Sequence, residues 1–311
     1  MSKRRKKQRP QSMYHPSYWL TWLGIGVIKL ITLLPFNVQL GIGKVLGRVL
    51  LNVAKSRRHI TETNIRLCFP ELNAQEQRLL VRKTFESQAI GLIETAYGWF
   101  TPVEKMRHRV TVHNHDIIID AAAKGNGVLL LGGHYTTLDI IGTMLSLFCK
   151  YDVIYRMQKN PVLEHIMTSS RQRYLQGGDA ISQSDMRGVY RALNAGRTVW
   201  YPPDQDYGGK HSEFVDFFGI KAATIKAPSR MIKKCRPEVV MLHHYRDANN
   251  HYHIHFTDGS HITGENSFDD CQAINQHLEK VIRAHPEQYM WVHRRFKSRP
   301  EGEPSVYKKH R

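Results

Sequence analysis

Two residues that could carry out acid–base chemistry, His134 and Asp139, lie five positions apart in the segment LGGHYTTLD at 131–139. Imidazole changes its protonation state near neutral pH, which suits a general base. If His134 lies in a loop that enters a helix, the first helical turn can bring Asp139 to the far ring nitrogen. A carboxylate there fixes the tautomer and stabilises the imidazolium. Gly132 and Gly133 allow a tight turn and the close approach of a substrate.

The sequence offers no nucleophile to accompany this pair, since it has no G-x-S-x-G elbow. The expected chemistry is therefore direct. The base takes a proton from an acceptor hydroxyl, and the hydroxyl oxygen attacks an acyl thioester without an acyl-enzyme. The spacing alone leaves a second interpretation open, in which His134 begins a helix and is capped locally by Thr136 or Thr137.

The elements that must position these residues alternate between strands and helices. Residues 127–132 form a continuous apolar run, which is typical of a strand buried on both faces. Strands are also predicted at 151–155 and 198–201, with a hairpin at 238–245 and 251–256. Helices are predicted at 38–60, 186–194 and 268–285, and another begins at 74 with Asn73 and Glu76 as its capping box. This alternation predicts an α/β fold with a mixed central sheet flanked by helices.

The N-terminus is predicted to anchor the chain to a membrane. A basic run at 3–9 precedes an apolar stretch at 18–34, and no small-residue cleavage site follows it. Trp19 and Trp22 suit the headgroup level of a bilayer. A short spanning helix and a helix in the membrane interface both remain open, as does a buried first helix of a soluble domain. We expect an anchor at residues 1–36 and one catalytic domain at 37–311.

The charge of the chain calls for a polyanionic partner. Lys and Arg total 45 against 27 Asp and Glu, which leaves a net charge of +18. Nucleic acid, an anionic membrane, a phosphorylated lipid and an acidic carrier protein all satisfy that demand. The four cysteines form no C-x-x-C pair, which argues against a zinc ribbon and a dithiol motif and fits a cytosol-facing protein.

The chain resembles the late acyltransferases of lipid A biosynthesis, which are the lauroyl, palmitoleoyl and myristoyl transferases of Gram-negative bacteria. The resemblance rests on the His-x4-Asp pair after an apolar strand and on four longer segments, YWLTWLGIG at 18–26, CFPE at 68–71, WYPPDQDYG at 200–208 and PEQYMWVHRRFK at 286–297. It covers the chain from about residue 14 to the end. Asp139 departs from the lauroyl branch, which commonly carries Glu at this position.

This resemblance implies a function in lipopolysaccharide biosynthesis at the bacterial inner membrane, with the catalytic domain facing the cytoplasm. The donor would be an acyl carrier protein thioester. The acceptor would be an acyl-chain hydroxyl on a phosphorylated, Kdo-bearing lipid A precursor. An anionic membrane is an expected partner, whereas nucleic acid, a metal and any other cofactor are not expected.

The same match assigns residues to the site. His134 and Asp139 are the expected catalytic residues. Arg156 and Asn160 follow a strand end, where a substrate crevice is expected. Arg156 and Arg171 could hold a phosphate or phosphopantetheine. Asp204 would orient an arginine or the acceptor sugar, and Asp206 could equally cap a turn.

Other readings of these residues remain open. A metal-dependent hydrolase could use His134, Asp139, Asp204 and Asp206, and a non-enzymatic basic adaptor could bind membranes. His251, His253 and His255 share one strand face, an arrangement that metal sites also use. With no matching cysteine or carboxylate cluster, a solvated strand face is favoured. The basic C-terminal residues from Arg294 to Arg299, with 308–311, are expected to face headgroups or a carrier.

Overall fold

The computed structural model describes residues 12–175 and 178–307. The predicted basic run at 3–9 and the basic residues 308–311 therefore lie outside the described residues. Four helices come first in the chain, and strands and helices then alternate to the C-terminus.

The N-terminal helices are α1 (Trp19–Ile31), α2 (Phe36–Val53), α3 (Lys55–Cys68) and α4 (Ala74–Phe100). The prediction of a single helix at 38–60 is wrong, because the backbone leaves the helical region at Ala54 (φ −87°, ψ 55°) and starts again as α3. The capping box of α4 is confirmed. Asn73 Oδ1 accepts from the Glu76 backbone nitrogen at 3.1 Å, and Glu76 Oε2 accepts from the Asn73 backbone nitrogen at 2.8 Å.

The remaining elements alternate along the chain. They are β1 (Val110–His113), α5 (His115–Ala123), β2 (Val128–Leu131), α6 (Leu138–Leu145), β3 (Asp152–Tyr155), α7 (Pro161–Tyr174), β4 (Ala180–Ser182), α8 (Met186–Asn194), β5 (Thr198–Tyr201), β6 (Ser212–Phe217), β7 (Ile220–Ile225), α9 (Ala227–Cys235), β8 (Glu238–Arg246), β9 (Tyr252–Asp258) and α10 (Ser267–Ala284).

Seven of these strands form one mixed sheet in the order β1-β9-β8-β2-β5-β3-β4. Strands β8 and β9 are antiparallel, and every other neighbouring pair is parallel. The predicted strands at 127–132, 151–155 and 198–201 and the predicted hairpin are confirmed. Strands β6 and β7 form a separate hairpin. The predicted mixed sheet flanked by helices is therefore present.

The central position of β2 explains its continuous apolar sequence. All four of its residues are buried, and they alternate between two hydrophobic cores on the two faces of the sheet. Leu129 and Leu131 belong to one core, and Val128 and Leu130 to the other. A strand buried on both faces has no solvated side on which polar residues could alternate.

Helix α1 presents its apolar side to solvent. Among its residues Ile25 alone is buried, while Leu20, Leu23, Val27 and Leu30 are 50–80% exposed along one stripe. The alternative of a buried first helix is therefore wrong. Within the described residues, no helix combines the length and apolar character needed to cross a bilayer.

Candidate active site

His134 lies three residues beyond the end of β2, in a loop that closely packed neighbours hold in place. A Cβ on Gly133 would come within 2.9 Å of the buried Leu278 side chain, which would have to shift to admit it. The Met290 backbone nitrogen donates to the His134 carbonyl oxygen at 3.1 Å. These contacts fix the backbone from which the imidazole projects.

The two threonines that follow His134 are engaged elsewhere. Thr136 Oγ1 forms a 2.7 Å hydrogen bond with Ser87 Oγ, and Thr137 Oγ1 forms a 2.9 Å hydrogen bond with His244 Nδ1. The alternative in which either threonine caps His134 locally is therefore wrong. Helix α6 begins after these residues, at Leu138.

The carboxylate that holds the His134 ring belongs to Asp204. Its Oδ1 lies 2.5 Å from His134 Nδ1, and its Oδ2 accepts from the His134 backbone nitrogen at 2.9 Å. Asp204 is 2% exposed. Burial opposes its ionisation, but the charge of His134 and both of these hydrogen bonds outweigh burial and lower the pKa of Asp204. The ionised carboxylate accepts a hydrogen bond from Nδ1–H, so the neutral ring carries its lone pair on Nε2.

Strand register explains why these two residues meet. Strands β2 and β5 are parallel neighbours, and Leu131 pairs with Tyr201. His134 and Asp204 each lie three positions beyond that pair, so both project from the same edge of the sheet. The prolines at 202 and 203 restrict the loop that carries Asp204.

The predicted hydrogen bond between Asp139 and the His134 ring is wrong for this structure. Asp139 has no ring nitrogen of His134 within 4.0 Å, and its Oδ2 instead accepts from Thr95 Oγ1 of α4 at 3.1 Å. The cause is that Asp139 is already in the first turn of α6, which directs it toward α4. Its exposed side chain nevertheless lines a cavity together with His134.

Two cavities meet at His134. The first, of about 280 Å³, has a largely apolar and aromatic wall that includes Leu138, Tyr151, Met167 and Trp200. The second, of about 670 Å³, extends toward α8 and α9. Both are lined by His134, Ile154, Tyr155, Arg156 and Pro202. His134 therefore lies where the two cavities adjoin.

The structure separates the three predicted substrate contacts. Arg156 lines both cavities, and Arg171 lines the first. The Arg171 guanidinium carbon lies 5.2 Å from the Tyr155 ring centre, and its Nη1 is buried without a hydrogen-bond partner in the described chain. Asn160 takes a structural position instead. Its side chain caps α7 and donates to Thr21 Oγ1 of α1 at 3.0 Å.

Two polar residues beside His134 were not predicted as site residues. The His293 ring centre lies 6.2 Å from that of His134, and His293 Nδ1 lies 3.2 Å from Gln205 Nε2. Burial, followed by the charge of His134, lowers the pKa of His293. His293 belongs to the segment at 286–297 on which the family resemblance rests, and that membership is the sequence feature that could have identified it as a site residue.

Within the same segment, Arg295 contradicts the prediction of a surface basic residue. It is 2% exposed and donates to the Ala223 carbonyl oxygen at 2.8 Å and to Thr224 Oγ1 at 2.8 Å. Its guanidinium carbon lies 4.9 Å from the Phe217 ring centre. Arg295 therefore joins the C-terminal segment to the β6–β7 hairpin instead of facing a partner.

Asp206 shapes a loop. Its carboxylate accepts from the Gly208 backbone nitrogen at 2.9 Å and from the Ser298 backbone nitrogen at 2.6 Å.

Within residues 12–175 and 178–307, His134, Asp139, Asp204 and Asp206 do not come together as a group that could hold a metal ion. The arrangement therefore gives no support to the metal-dependent hydrolase.

Comparison with known proteins places most of the chain in one family. The family model described as bacterial lipid A biosynthesis acyltransferase matches residues 6–298. The lipid A biosynthesis lauroyltransferase of Escherichia coli (strain K12) is 36% identical over 299 residues, which cover 95% of this chain and 97% of that protein. The palmitoleoyltransferase of the same organism is 34% identical, with coverage of 94% and 96%. Its myristoyltransferase is 30% identical, with coverage of 96% and 93%.

Proposed function

The chain belongs to the bacterial lipid A biosynthesis acyltransferase family, and we propose that it uses His134 as a general base to acylate a lipid A precursor. Family membership supports O-acyl transfer in lipid A biosynthesis. Our proposal adds the donor, an acyl carrier protein thioester, and the acceptor, an acyl-chain hydroxyl of a Kdo-bearing precursor. It also adds the roles of individual residues.

The observation that carries the proposal is the buried Asp204 carboxylate on Nδ1 of a histidine that borders two cavities. In the proposed reaction, His134 Nε2 takes the proton of the acceptor hydroxyl while the hydroxyl oxygen attacks the thioester carbonyl carbon. The tetrahedral intermediate then collapses, the carbon–sulfur bond breaks, and the thiolate takes the proton back from the imidazolium. Asp204 stabilises the ring charge throughout these steps.

The first cavity suits the acyl chain of the donor. Its apolar and aromatic wall would bury methylene groups, each of which contributes about 0.8 kcal/mol on transfer from water. Arg171 could pair with an anionic group near that chain through its unpaired Nη1. Arg156 borders both cavities and could therefore contact either substrate. We place the acceptor in the second, wider cavity.

Asp139 is retained as a proposed catalytic residue with a changed role. Its carboxylate lies on the wall of the first cavity and accepts only from Thr95 among described residues. From that wall it could accept a hydrogen bond from the donor or the acceptor near the reacting carbonyl. Asp139→Asn should then lower kcat/KM. Asp139→Glu introduces the residue common in the lauroyl branch, and its kcat/KM should lie between those of Asp139→Asn and wild type.

For the membrane association we propose that α1 lies in the interface of the bacterial inner membrane, with the catalytic domain on the cytoplasmic side. The exposed stripe of Leu20, Leu23, Val27 and Leu30 would enter the headgroup region. The opposite side of α1 is already occupied, because Thr21 bonds Asn160 and the Lys29 ammonium lies 5.8 Å from the Phe100 ring centre. We keep residues 1–36 as the proposed anchor and 37–311 as the proposed catalytic domain.

A transfer assay with purified protein tests this function. The assay measures product mass and rate with carrier proteins that bear saturated chains of different length and a tetra-acylated, Kdo-bearing acceptor. His134→Gln should lower kcat by about 10²- to 10⁴-fold, the usual contribution of a general base. The matched control is His261→Gln, which changes an exposed histidine outside both cavities and should retain the wild-type rate.

Two substrate substitutions separate the parts of the proposal. Replacing the carrier thioester by a coenzyme A thioester tests the donor, and removing Kdo from the acceptor tests the acceptor. A wild-type rate for folded His134→Gln would contradict the mechanism. Equal rates with both donors would contradict carrier dependence alone.

A further inference from the structure

A second group of histidines lies on the sheet outside both cavities at His134. His113 ends the edge strand β1, and it pairs in register with His255 of β9. His253 lies two residues earlier on β9, so its side chain shares a face with His255. One ring nitrogen from each of the three residues lies within 4.8 Å of the others, and all three rings are partly exposed.

We infer that His113, His253 and His255 bind a zinc ion, with water completing a tetrahedral site. Neutral imidazole is a preferred ligand for Zn²⁺, and three histidines with a water is a known zinc coordination. Zn–N bonds of about 2.0–2.1 Å place the ligand atoms of a tetrahedral site roughly 3.3 Å apart. His113 Nε2 and His253 Nδ1 already lie 3.0 Å apart, in a hydrogen bond that the ion would replace.

The surroundings of two of these rings favour a metal ligand over a solvated histidine. His253 Nε2 lies 3.4 Å from Asp247 Oδ2, so a carboxylate holds the ring nitrogen opposite the one offered to the metal. Histidines that bind metals generally have such a partner, which fixes their tautomer and orientation. His255 Nε2 is buried and has no hydrogen-bond partner in the described chain. A zinc ion would satisfy that buried nitrogen.

Binding requires a modest rearrangement of one pair of rings. His113 and His255 are stacked, with ring centres 3.9 Å apart and planes 7° from parallel. Their nitrogens must rotate toward a common point, and His255, whose ring also stacks on that of His243 with centres 4.5 Å apart, must give up one of these stacked contacts. The bound ion would join β1 to β9. Strand β1 pairs only with β9 in the described sheet, so the expected consequence of binding is a more stable edge.

The proposed site differs from the solvated strand face that the sequence predicted. That prediction grouped His253 and His255 with His251, which instead forms a 2.8 Å hydrogen bond with Thr111 Oγ1. The third member, His113, comes from a strand 140 residues away in sequence. No carboxylate cluster is needed, because the single carboxylate of Asp247 orients a ligand.

Isothermal titration of the chelator-treated, tag-free protein with ZnCl₂ tests the inference. Wild type should bind one equivalent with a Kd in the micromolar range or below, and His255→Asn and His113→Asn should each weaken binding at least tenfold. Asp247→Asn should weaken it by about tenfold. His251→Asn is the matched control and should bind as wild type does. Transfer activity should stay unchanged in all four variants.

X-ray absorption spectroscopy of zinc-loaded wild type does not depend on the folding of any variant. Its spectrum should show three imidazole nitrogens in the coordination shell of the zinc ion. Binding of several equivalents with equal, weak affinity would overturn the inference, as would unchanged affinity in His255→Asn. Absence of zinc binding to wild type would also overturn it. None of these outcomes bears on acyl transfer at His134.

Discussion

Replacing Asp204 by asparagine should remove the ionic partner of the His134 ring while keeping the shape of the side chain. In wild type the carboxylate accepts from both the ring Nδ1 and the backbone nitrogen of His134, at 2.5 and 2.9 Å. An asparagine oxygen can satisfy only one of these donors well. If it accepts from the backbone, its amide nitrogen faces Nδ1 and favours the tautomer that carries a proton on Nε2. That tautomer cannot act as a base at Nε2.

The magnitude follows from two losses. A hydrogen bond to a charged group contributes about 1.5–3 kcal/mol, and this contribution acts on the imidazolium that forms in the transition state. Inverting the preferred tautomer adds a cost of similar size. Since each 1.36 kcal/mol changes the rate about tenfold, kcat of Asp204→Asn should fall roughly 10²- to 10⁴-fold. The KM should change little, because Asp204 lines neither cavity.

The assay is acyl transfer under saturating donor and acceptor, with kcat and KM measured separately and folding checked by circular dichroism. Asp206→Asn is the matched control, because it makes the same chemical change in the same loop but its carboxylate bonds Gly208 and Ser298. We expect its kcat to remain within tenfold of wild type. A folded Asp204→Asn protein with kcat within tenfold of wild type would refute the assigned role of this carboxylate.

Three further predictions concern stability and membrane binding. Gly91→Ala places a Cβ 2.3 Å from a backbone oxygen of the loop after β2, so the free energy of unfolding measured in urea should fall by about 1–3 kcal/mol. The control Gly24→Ala has open space around its Cβ and should change this free energy by less than about 1 kcal/mol. Burial lowers the pKa of His244 to about 3, so below about pH 6.5 the unfolded chain binds a proton there and the folded chain does not. Acid should therefore lower the free energy of unfolding. In urea titrations between pH 6 and 4.5, His244→Asn should reduce this dependence on pH by up to about 1.4 kcal/mol per pH unit. Leu23→Asp should lower co-sedimentation with anionic vesicles about tenfold or more, because it puts a charge on the exposed apolar stripe of α1, while Ile119→Asp on the exposed side of α5 should leave it unchanged.

Local sequence patterns predicted those elements whose cause is local. The apolar run of β2, the polar turn between β8 and β9 and the capping box of α4 each depend on residues close together in sequence, and each is present. The break at Ala54 was not predicted, because alanine is a good helix former and nothing nearby signals an end. The β6–β7 hairpin was also missed, although its turn at Phe218 and Gly219 places both residues at positive φ.

The residues of the catalytic pair were predicted, but their pairing was not. His134 and Asp204 were both named from sequence, yet their contact depends on β5 being the neighbour of β2 in the sheet although β3 and β4 lie between them in the chain. The same limitation hid the link between His113 and His255, which depends on the pairing of β1 with β9. Spacing along the chain favoured Asp139 instead, and the direction of the first turn of α6 excludes that contact.

The central claim is that His134 and Asp204 act as one catalytic unit, and a double-mutant cycle on kcat tests it most directly. If the carboxylate acts only through the ring, His134→Gln combined with Asp204→Asn should be no slower than His134→Gln alone, because residues that work as a unit are not additive. A double variant whose loss in kcat equals the product of the two single losses would contradict the account.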